Sequence, residues 1–394
     1  MEHFITEIKI NQVRHLENIA ITLNKEKRQH LLLTGKNGSG KTSLVLAMKD
    51  ELSAMVMDSK EDKMEPYISG SSLKGQFRKY LQELENKDQV ILKIKGEESL
   101  RRQYLLGNFI SAFFPANRSS DMKKPNGVQD IKLKEFYQLD DHVNDHLLQY
   151  MVHLKTQQSY ARNEGDSKVA DMIQKWFERF ESALKILLDN PSIQLKYDYK
   201  NYDFKLIEDG RREFGFDELS DGYSSVINIV SELVMRMDKN WIFNNQLPDY
   251  NIEGIVLIDE LETHLHIELQ RKILPFLTEF FSRIQFIVTT HSPYILSSIA
   301  NAKVYDLEKN LEVENLASYS AEGIVEGYFE SEEYSEELKK KLMRYEQLVF
   351  QENLSEEERA ERAELRMELK NLSNDLAGEA KEAYEEIEDR RKRK

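Results

Sequence analysis

Three stretches of this sequence carry residue types that could do phosphate chemistry together. In the first, LLLTGKNGSGKT, Gly35, Gly40, Lys41 and Thr42 fit G-x-x-x-x-G-K-[ST]. Backbone N–H groups can close around phosphate oxygens only where side chains are absent, and the lysine reaches the β and γ phosphates. Gly35, Lys36, Asn37, Gly38, Ser39, Gly40, Lys41, Thr42 and Ser43 are therefore candidate nucleotide-binding residues, with Thr42 a candidate Mg²⁺ ligand. The second stretch, IVLIDE, is an apolar run ending in two carboxylates. Asp259 suits a metal ion's shell, and Glu260 suits a base that orients and deprotonates an attacking water. In the third, QFIV runs into TTHSP and sets His291 where it can contact a γ-phosphate.

These side chains need a scaffold that brings strand ends together. Leu31, Leu32 and Leu33 read as a strand buried on both faces, and Ser43 to Met57 reads as the helix that follows the loop. Alternating Ile5, Ile8, Ile10 and Ile19, Ile21, Leu23 predict two antiparallel strands ahead of it, with Arg14 and His15 at their turn. Those two either face the nucleotide or are ordinary solvated turn residues. QVILKI from Gln89 to Ile94 reads as a strand after a charged link, Asp58 to Glu65. FISAFF ends at Pro115, and a polar tail on a buried strand is where an α/β sheet places ligand contacts. Asn117 and Arg118 are thus candidate nucleotide-sensing residues, or plain loop.

From Ile131 to Asn190 the spacing turns helical, predicting helices over Lys132 to Leu154 and Ser167 to Asp189 around Gly165. The aromatic stripe Trp176, Phe177 and Phe180 reads as core. Strands return from Ile193 to Phe216, where tyrosines alternating with lysines read as the solvent face of an antiparallel sheet. A helix follows LSDGY. Beyond Ala300, Val304 to Leu316 predicts an edge strand and Ser318 to Tyr328 a short helix or turn. Two charged helices then run from Ser335 to Phe350 and from Ser355 to Glu388. Ser355 and Glu358 form a capping box, and Leu365, Leu369, Leu372, Leu376, Ala383 and Ile387 form one apolar stripe. The terminal RRKRK reads as a solvated helix end.

Length and composition narrow the class. A chain of 394 residues that is 40% hydrophobic can bury a large core. It contains no cysteine, which excludes disulfides and thiolate metal sites. A net charge of −15 argues against a globally basic nucleic-acid binder, though a local basic groove remains open to it. No signal segment or run of eighteen apolar residues is present, so a cytoplasmic protein with no membrane association is expected.

In their order, GKNGSGKT, LSDGY, IVLIDE and the histidine of TTHSP resemble the ATP-binding-cassette class of ATPases. DELETHLHIELQ and QFIVTTHSPYIL resemble its RecF, SMC and OLD-like branch. The resemblance implies an α/β fold, an ABC-type P-loop NTPase head of mixed sheet flanked by helices, with a helical lobe insert and a C-terminal helical extension. Its parts would be 1–130, the head's phosphate-loop half; 131–192, the lobe; 193–310, the head's second half; and 311–394, a partner or oligomerisation segment. The family's cofactors are ATP and Mg²⁺. Ser220 and Gly222 would touch the γ-phosphate held by an opposite copy, Leu261 to His264 would cross the interface, and heads would sandwich ATP as a homodimer or higher homo-oligomer. The glutamine usual in the Q-loop is not evident, and Asn117 stands in its place. SYSAEGIVEGYF and YEQL resemble the tails of bacterial anti-phage ATPases, the PtuA family of Septu and the related retron-associated ATPases, which act with a separate HNH-type nuclease. Two other functions fit the same engine: RecF-like DNA repair with direct nucleic-acid binding, or a nucleotide-dependent assembly scaffold with little turnover.

Overall fold

The computed structural model describes residues 2–57, 89–118, 123–131, 133–134, 137–208, 213–244, 252–313, 316–321, 323–324, 336–351, 353–375, 384 and 387–391. The link expected at 58–65, Lys132, Ser335, positions 325–328, the side chains of Leu372, Leu376 and Ala383, and the end of the RRKRK run lie outside the described residues.

Alternating isoleucines form β1 (Phe4–Val13) and β2 (Leu16–Thr22), paired antiparallel with Ile8 opposite Ile21 and Ile10 opposite Ile19. β4 (Val90–Lys95) takes the other edge of β1, giving a three-stranded sheet ordered β2-β1-β4. β3 (His30–Thr34) enters a second sheet with β5 (Phe109–Phe114), β9 (Glu253–Ile258), β10 (Ile284–Thr289), β11 (Ala302–Asp306) and β12 (Leu311–Val313). Its order is β12-β11-β3-β10-β9-β5, parallel throughout except for β12. Strands covered on both faces need unbroken apolar runs, and Leu31 to Leu33, Ile255 to Ile258 and Phe286 to Val288 are completely buried.

Helix α1 (Lys41–Met57) joins the sheets. Its Leu44, Val45, Met48 and Leu52 share one buried cluster with Ile8 and Ile10 of the small sheet and Leu31, Leu257 and Ile287 of the large one. α2 (Glu97–Leu105) adds Leu100 and Tyr104 to that cluster. Register brings the carboxyl ends of the central strands level: Thr289 lies opposite Leu33, and Ile258 lies opposite both Val288 and Phe114. In an open parallel sheet that edge is where ligands bind.

The lobe differs from its sequence pattern in one place. The helix expected from Lys132 begins only at Leu147, as α3 (Leu147–Asn163), after a 3₁₀ turn at Asn144–His146. Upstream, the described residues are not helical because their backbone groups have other partners. Arg236, on α5 (Asp221–Asn244), donates to the carbonyls of Gln138 (3.0 Å), Leu139 (3.5 Å) and Asp141 (2.6 Å). Glu232, one turn earlier, accepts from the Val143 and Asn144 N–H groups. α4 (Ser167–Leu187) buries Ile173, Trp176, Phe177 and Phe180, with Asp166 capping its start. Its Trp176 indole donates to Asp238 of α5 at 2.7 Å. Phe177 stacks on Phe204 of β7 (Asp203–Ile207), the middle strand between β6 (Gln194–Asp198) and β8 (Phe214–Gly215). Tyr199 stands exposed at its hairpin, while Tyr197 packs on Phe204.

The chain divides into units Met1–Tyr319 and Ser320–Lys394. A boundary at 310 would cut the β11–β12 hairpin, whose second strand hydrogen-bonds to the large sheet. Within the second unit, α6 (Glu336–Phe350) and α7 (Glu356–Asp375) pack through Leu342, Tyr345, Val349 and Leu369, with Tyr384 and Ile387. The capping box forms as its spacing predicts, with Glu358 N–H on Ser355 Oγ at 3.1 Å and Ser355 N–H on Glu358 Oε2 at 2.8 Å. No described helix is long and apolar enough to cross a membrane.

Candidate functional site

Between β3 and α1 the loop turns on Gly35, Gly38 and Gly40, with φ of 131°, 87° and 96°. Their neighbours leave no room for side chains at two of them. A Cβ on Gly35 would lie 2.9 Å from Ser39 Oγ, and one on Gly40 would lie 2.9 Å from Leu16 Cδ1. His15, in the same turn as Arg14, is next nearest to Gly40, so the β1–β2 turn walls the loop. Lys41 is buried and donates to the carbonyls of Gly35 (2.7 Å) and Lys36 (3.1 Å). Burial lowers its pKa, against the pull of Glu260, Glu262, Asp259 and Asp306. Lys36, Asn37, Gly38 and Thr42 are exposed, Ser39 is buried and Ser43 half-buried. From the β11–β12 turn, Glu308 pairs with the Lys36 ammonium at 3.0 Å.

Asp259 follows the last residue of β9 and is 2% exposed. Its Oδ1 accepts from the Thr289 hydroxyl at 2.6 Å, and the same oxygen of Thr289 accepts from the Glu260 N–H at 2.7 Å. One side chain on β10 thus holds the Asp259 carboxylate and the Glu260 backbone. Glu260 has φ 45°, a backbone conformation that costs a non-glycine residue about 1 kcal/mol or more and persists only where neighbours enforce it. His291 lies beyond β10, and its N–H donates to Glu262 Oε1 at 2.5 Å. Burial lowers the His291 pKa, as does the Lys41 charge, favouring the neutral ring. Glu262 Oε2 and His291 Nε2 are buried without a hydrogen-bond partner among the described residues. A buried polar atom without a partner calls for a cause, such as a catalytic role or a bound ion or water.

Arg118 does not point at this opening. It is 7% exposed and runs across the back of the site, donating to Ser225 Oγ on α5 and to the carbonyls of Pro115, Asp259, Glu260 and Leu261. Burial pushes its pKa down to about 10, with Glu262, Asp259 and Glu260 opposing the shift. The nucleotide-sensing expectation for Arg118 therefore gives way to a bracing role, because its donors are used within the protein. Asn117, next to it, is exposed. At the start of α5, Ser220 is exposed, whereas Gly222 is buried where a Cβ would come within 2.6 Å of the His264 carbonyl. Gly222 thus has a packing reason within its own chain.

Residues 31–297 match the family model described as "AAA domain, putative AbiEii toxin, Type IV TA system". The chain belongs to this AAA domain family. It is 26% identical over 326 residues to the Septu protein PtuA of Bacillus mycoides (strain KBAB4), covering 79% of this chain and 42% of that protein. It is also 26% identical over 314 residues to the "Retron Ec83 probable ATPase" of Escherichia coli, covering 75% of this chain and 52% of that one. The chain thus spans about half the length of these curated relatives. Among solved structures, an SmcHead bound to the C-winged helix domain of ScpA is 12% identical, with a TM-score of 0.38, covering 78% of this chain and 94% of that one.

In this AAA-family chain the phosphate loop, Asp259, Glu260 and His291 come together at the carboxyl ends of three adjacent strands, β3, β10 and β9. Glu262 and Thr289 complete the arrangement, and neither stands out by sequence pattern. Glu262 lies two residues after Glu260, and Thr289 closes the buried β10 run, so proximity to the named motifs is the available signal. Among the described residues no group of three or more His, Cys, Asp and Glu could hold a metal by itself. Thr42 and Asp259 nevertheless supply the hard oxygen donors that suit Mg²⁺, which commonly completes its shell with water and substrate phosphates.

Proposed function

We propose that this chain binds and hydrolyses ATP as the switch of an anti-phage system, with a second copy completing each site. The observation that supports this most is the unpaired Glu262 Oε2 and His291 Nε2 beside Lys41 and the Asp259–Glu260 pair, at the mouth of a glycine-turned loop. The loop's N–H groups and the Lys41 ammonium would hold the β and γ phosphates, and neutral His291 would donate from Nε2 to a γ-phosphate oxygen. Glu260 would orient the attacking water and accept its proton. Bound at Thr42 and Asp259, Mg²⁺ would neutralise developing phosphate charge. Ser220 of the opposite copy would close the γ-phosphate, so ATP would join two heads and hydrolysis would release them. The defence role, and a separate nuclease of the HNH type as its load, draw support from the relatives named as Septu and retron proteins.

Phosphate release with ATP and Mg²⁺ tests the catalytic part. Glu260→Gln should lower turnover about 100-fold or more while leaving nucleotide binding intact, as expected for loss of a general base. Lys41→Ala should lose binding itself. Equal turnover by the wild type and Glu260→Gln would contradict the assignment. In cells, the chain expressed together with the genes that flank its own should reduce phage plating, and Lys41→Ala should restore it. Unchanged protection with Lys41→Ala would contradict a nucleotide-driven switch.

A further inference from the structure

We propose that Arg118 is a positioning residue that ties the start of α5, where an opposite copy's nucleotide would sit, to the backbone carrying this copy's own carboxylates. Closure at one nucleotide would thereby set the hydrolytic geometry at the other. This rests on the two-copy reading above.

An arginine side chain has five N–H donors, and all five are used here. Nε donates to Ser225 Oγ at 3.0 Å. One terminal nitrogen donates to the carbonyls of Pro115 (3.1 Å) and Asp259 (2.7 Å), the other to those of Glu260 (3.0 Å) and Leu261 (3.2 Å). Three consecutive carbonyls of the carboxylate turn thus hang on one rigid plane, and the remaining edge of that plane holds α5. Ser225 lies on α5, less than a turn beyond Gly222 and little more than a turn beyond Ser220, which immediately precedes the helix. A displacement of the helix start must stretch the Nε–Oγ bond or carry the fork with it.

The turn is one that needs such support. Glu260 sits at φ 45°, and the peptides on its two sides are both gripped, by Thr289 on its N–H and by Arg118 on its carbonyl. Lysine cannot reproduce this grip, since an ammonium has three donors and no planar fork.

The test measures ATP turnover against ATP concentration for the wild type, Arg118→Lys and Ser225→Ala, with binding of a fluorescent ATP analogue and ATP-driven pairing in the Glu260→Gln background. The wild type should show a Hill coefficient above 1. Arg118→Lys should lose about tenfold or more in kcat, with analogue affinity within about twofold and pairing retained, the pattern of misplaced reacting groups. Ser225→Ala keeps the four carbonyl contacts, so it should bring the Hill coefficient to 1 while kcat falls by less than about threefold. A wild-type Hill coefficient of 1, unchanged cooperativity in Ser225→Ala, or an equal loss of analogue affinity and kcat in Arg118→Lys would overturn the inference alone. A wild type that neither releases phosphate nor pairs with ATP would overturn the two-copy reading, and this inference with it.

Discussion

One hydroxyl, that of Thr289, holds Asp259 by its carboxylate and Glu260 by its N–H. Thr289→Val keeps the shape and removes both bonds, leaving a half-buried N–H unsatisfied at a strained residue. It should cost about 1–3 kcal/mol in denaturant unfolding and lower ATP turnover, whereas wild-type stability in the variant would show the bridge to be dispensable. His30 makes a second prediction. It is 7% exposed, its Nδ1 accepts from the Phe286 N–H, and burial pushes its pKa from 6.5 down to about 4. Above pH 6.5 the ring is neutral whether the chain is folded or not. Below it the unfolded ring takes up its proton first, so stability is lost as pH falls from about 6.5 to about 4, by about 3 kcal/mol in all. His30→Gln should flatten that part of the profile, and parallel profiles for variant and wild type would refute it. At this scale the sequence was most legible where the chemistry needs contiguous types, as in GKNGSGKT and DE. The bracing role of Arg118 and the bridge at Thr289 escaped it because their partners lie far along the chain, 107 and 30 residues away for Ser225 and Asp259.

Elements were legible where burial alone decides them. The leucines of β3, the alternation of β1 and β2 and the aromatic face of α4 each met the surface their periodicity demands. The stretch ahead of Leu147 departs from its helical pattern because three-and-four spacing says nothing about what satisfies the backbone. Arg236 and Glu232, both 2% exposed and 2.7 Å apart, take over that work from helical hydrogen bonds. Arg236→Met should therefore cost about 3–5 kcal/mol, since it strands the Glu232 carboxylate and frees several carbonyls. It should also open residues 137–146 to protease ahead of global unfolding. Unchanged cleavage there would mean that the segment is held by its apolar side chains Tyr137, Leu139 and Val143 instead.

For the whole molecule, a sheet whose central strands all end at one edge gathers the glycine-rich loop, the two carboxylates and His291 from distant parts of the sequence. The exposed Ser220 and the exposed residues His264 and His266 lie on the elements that meet at Gly222, so the surface proposed to close a second copy's nucleotide is continuous with the carboxylate turn. That surface could not be read as a unit from sequence, where its parts are separated by the lobe and its sheet. In the function proposed above, ATP joins two copies through Ser220. Molecular mass in solution tests it most directly, measured for Glu260→Gln with and without ATP and Mg²⁺. The mass should double on adding ATP, and the further change Ser220→Arg should abolish the doubling. A mass that ATP does not change, or a doubling that survives Ser220→Arg, would contradict it.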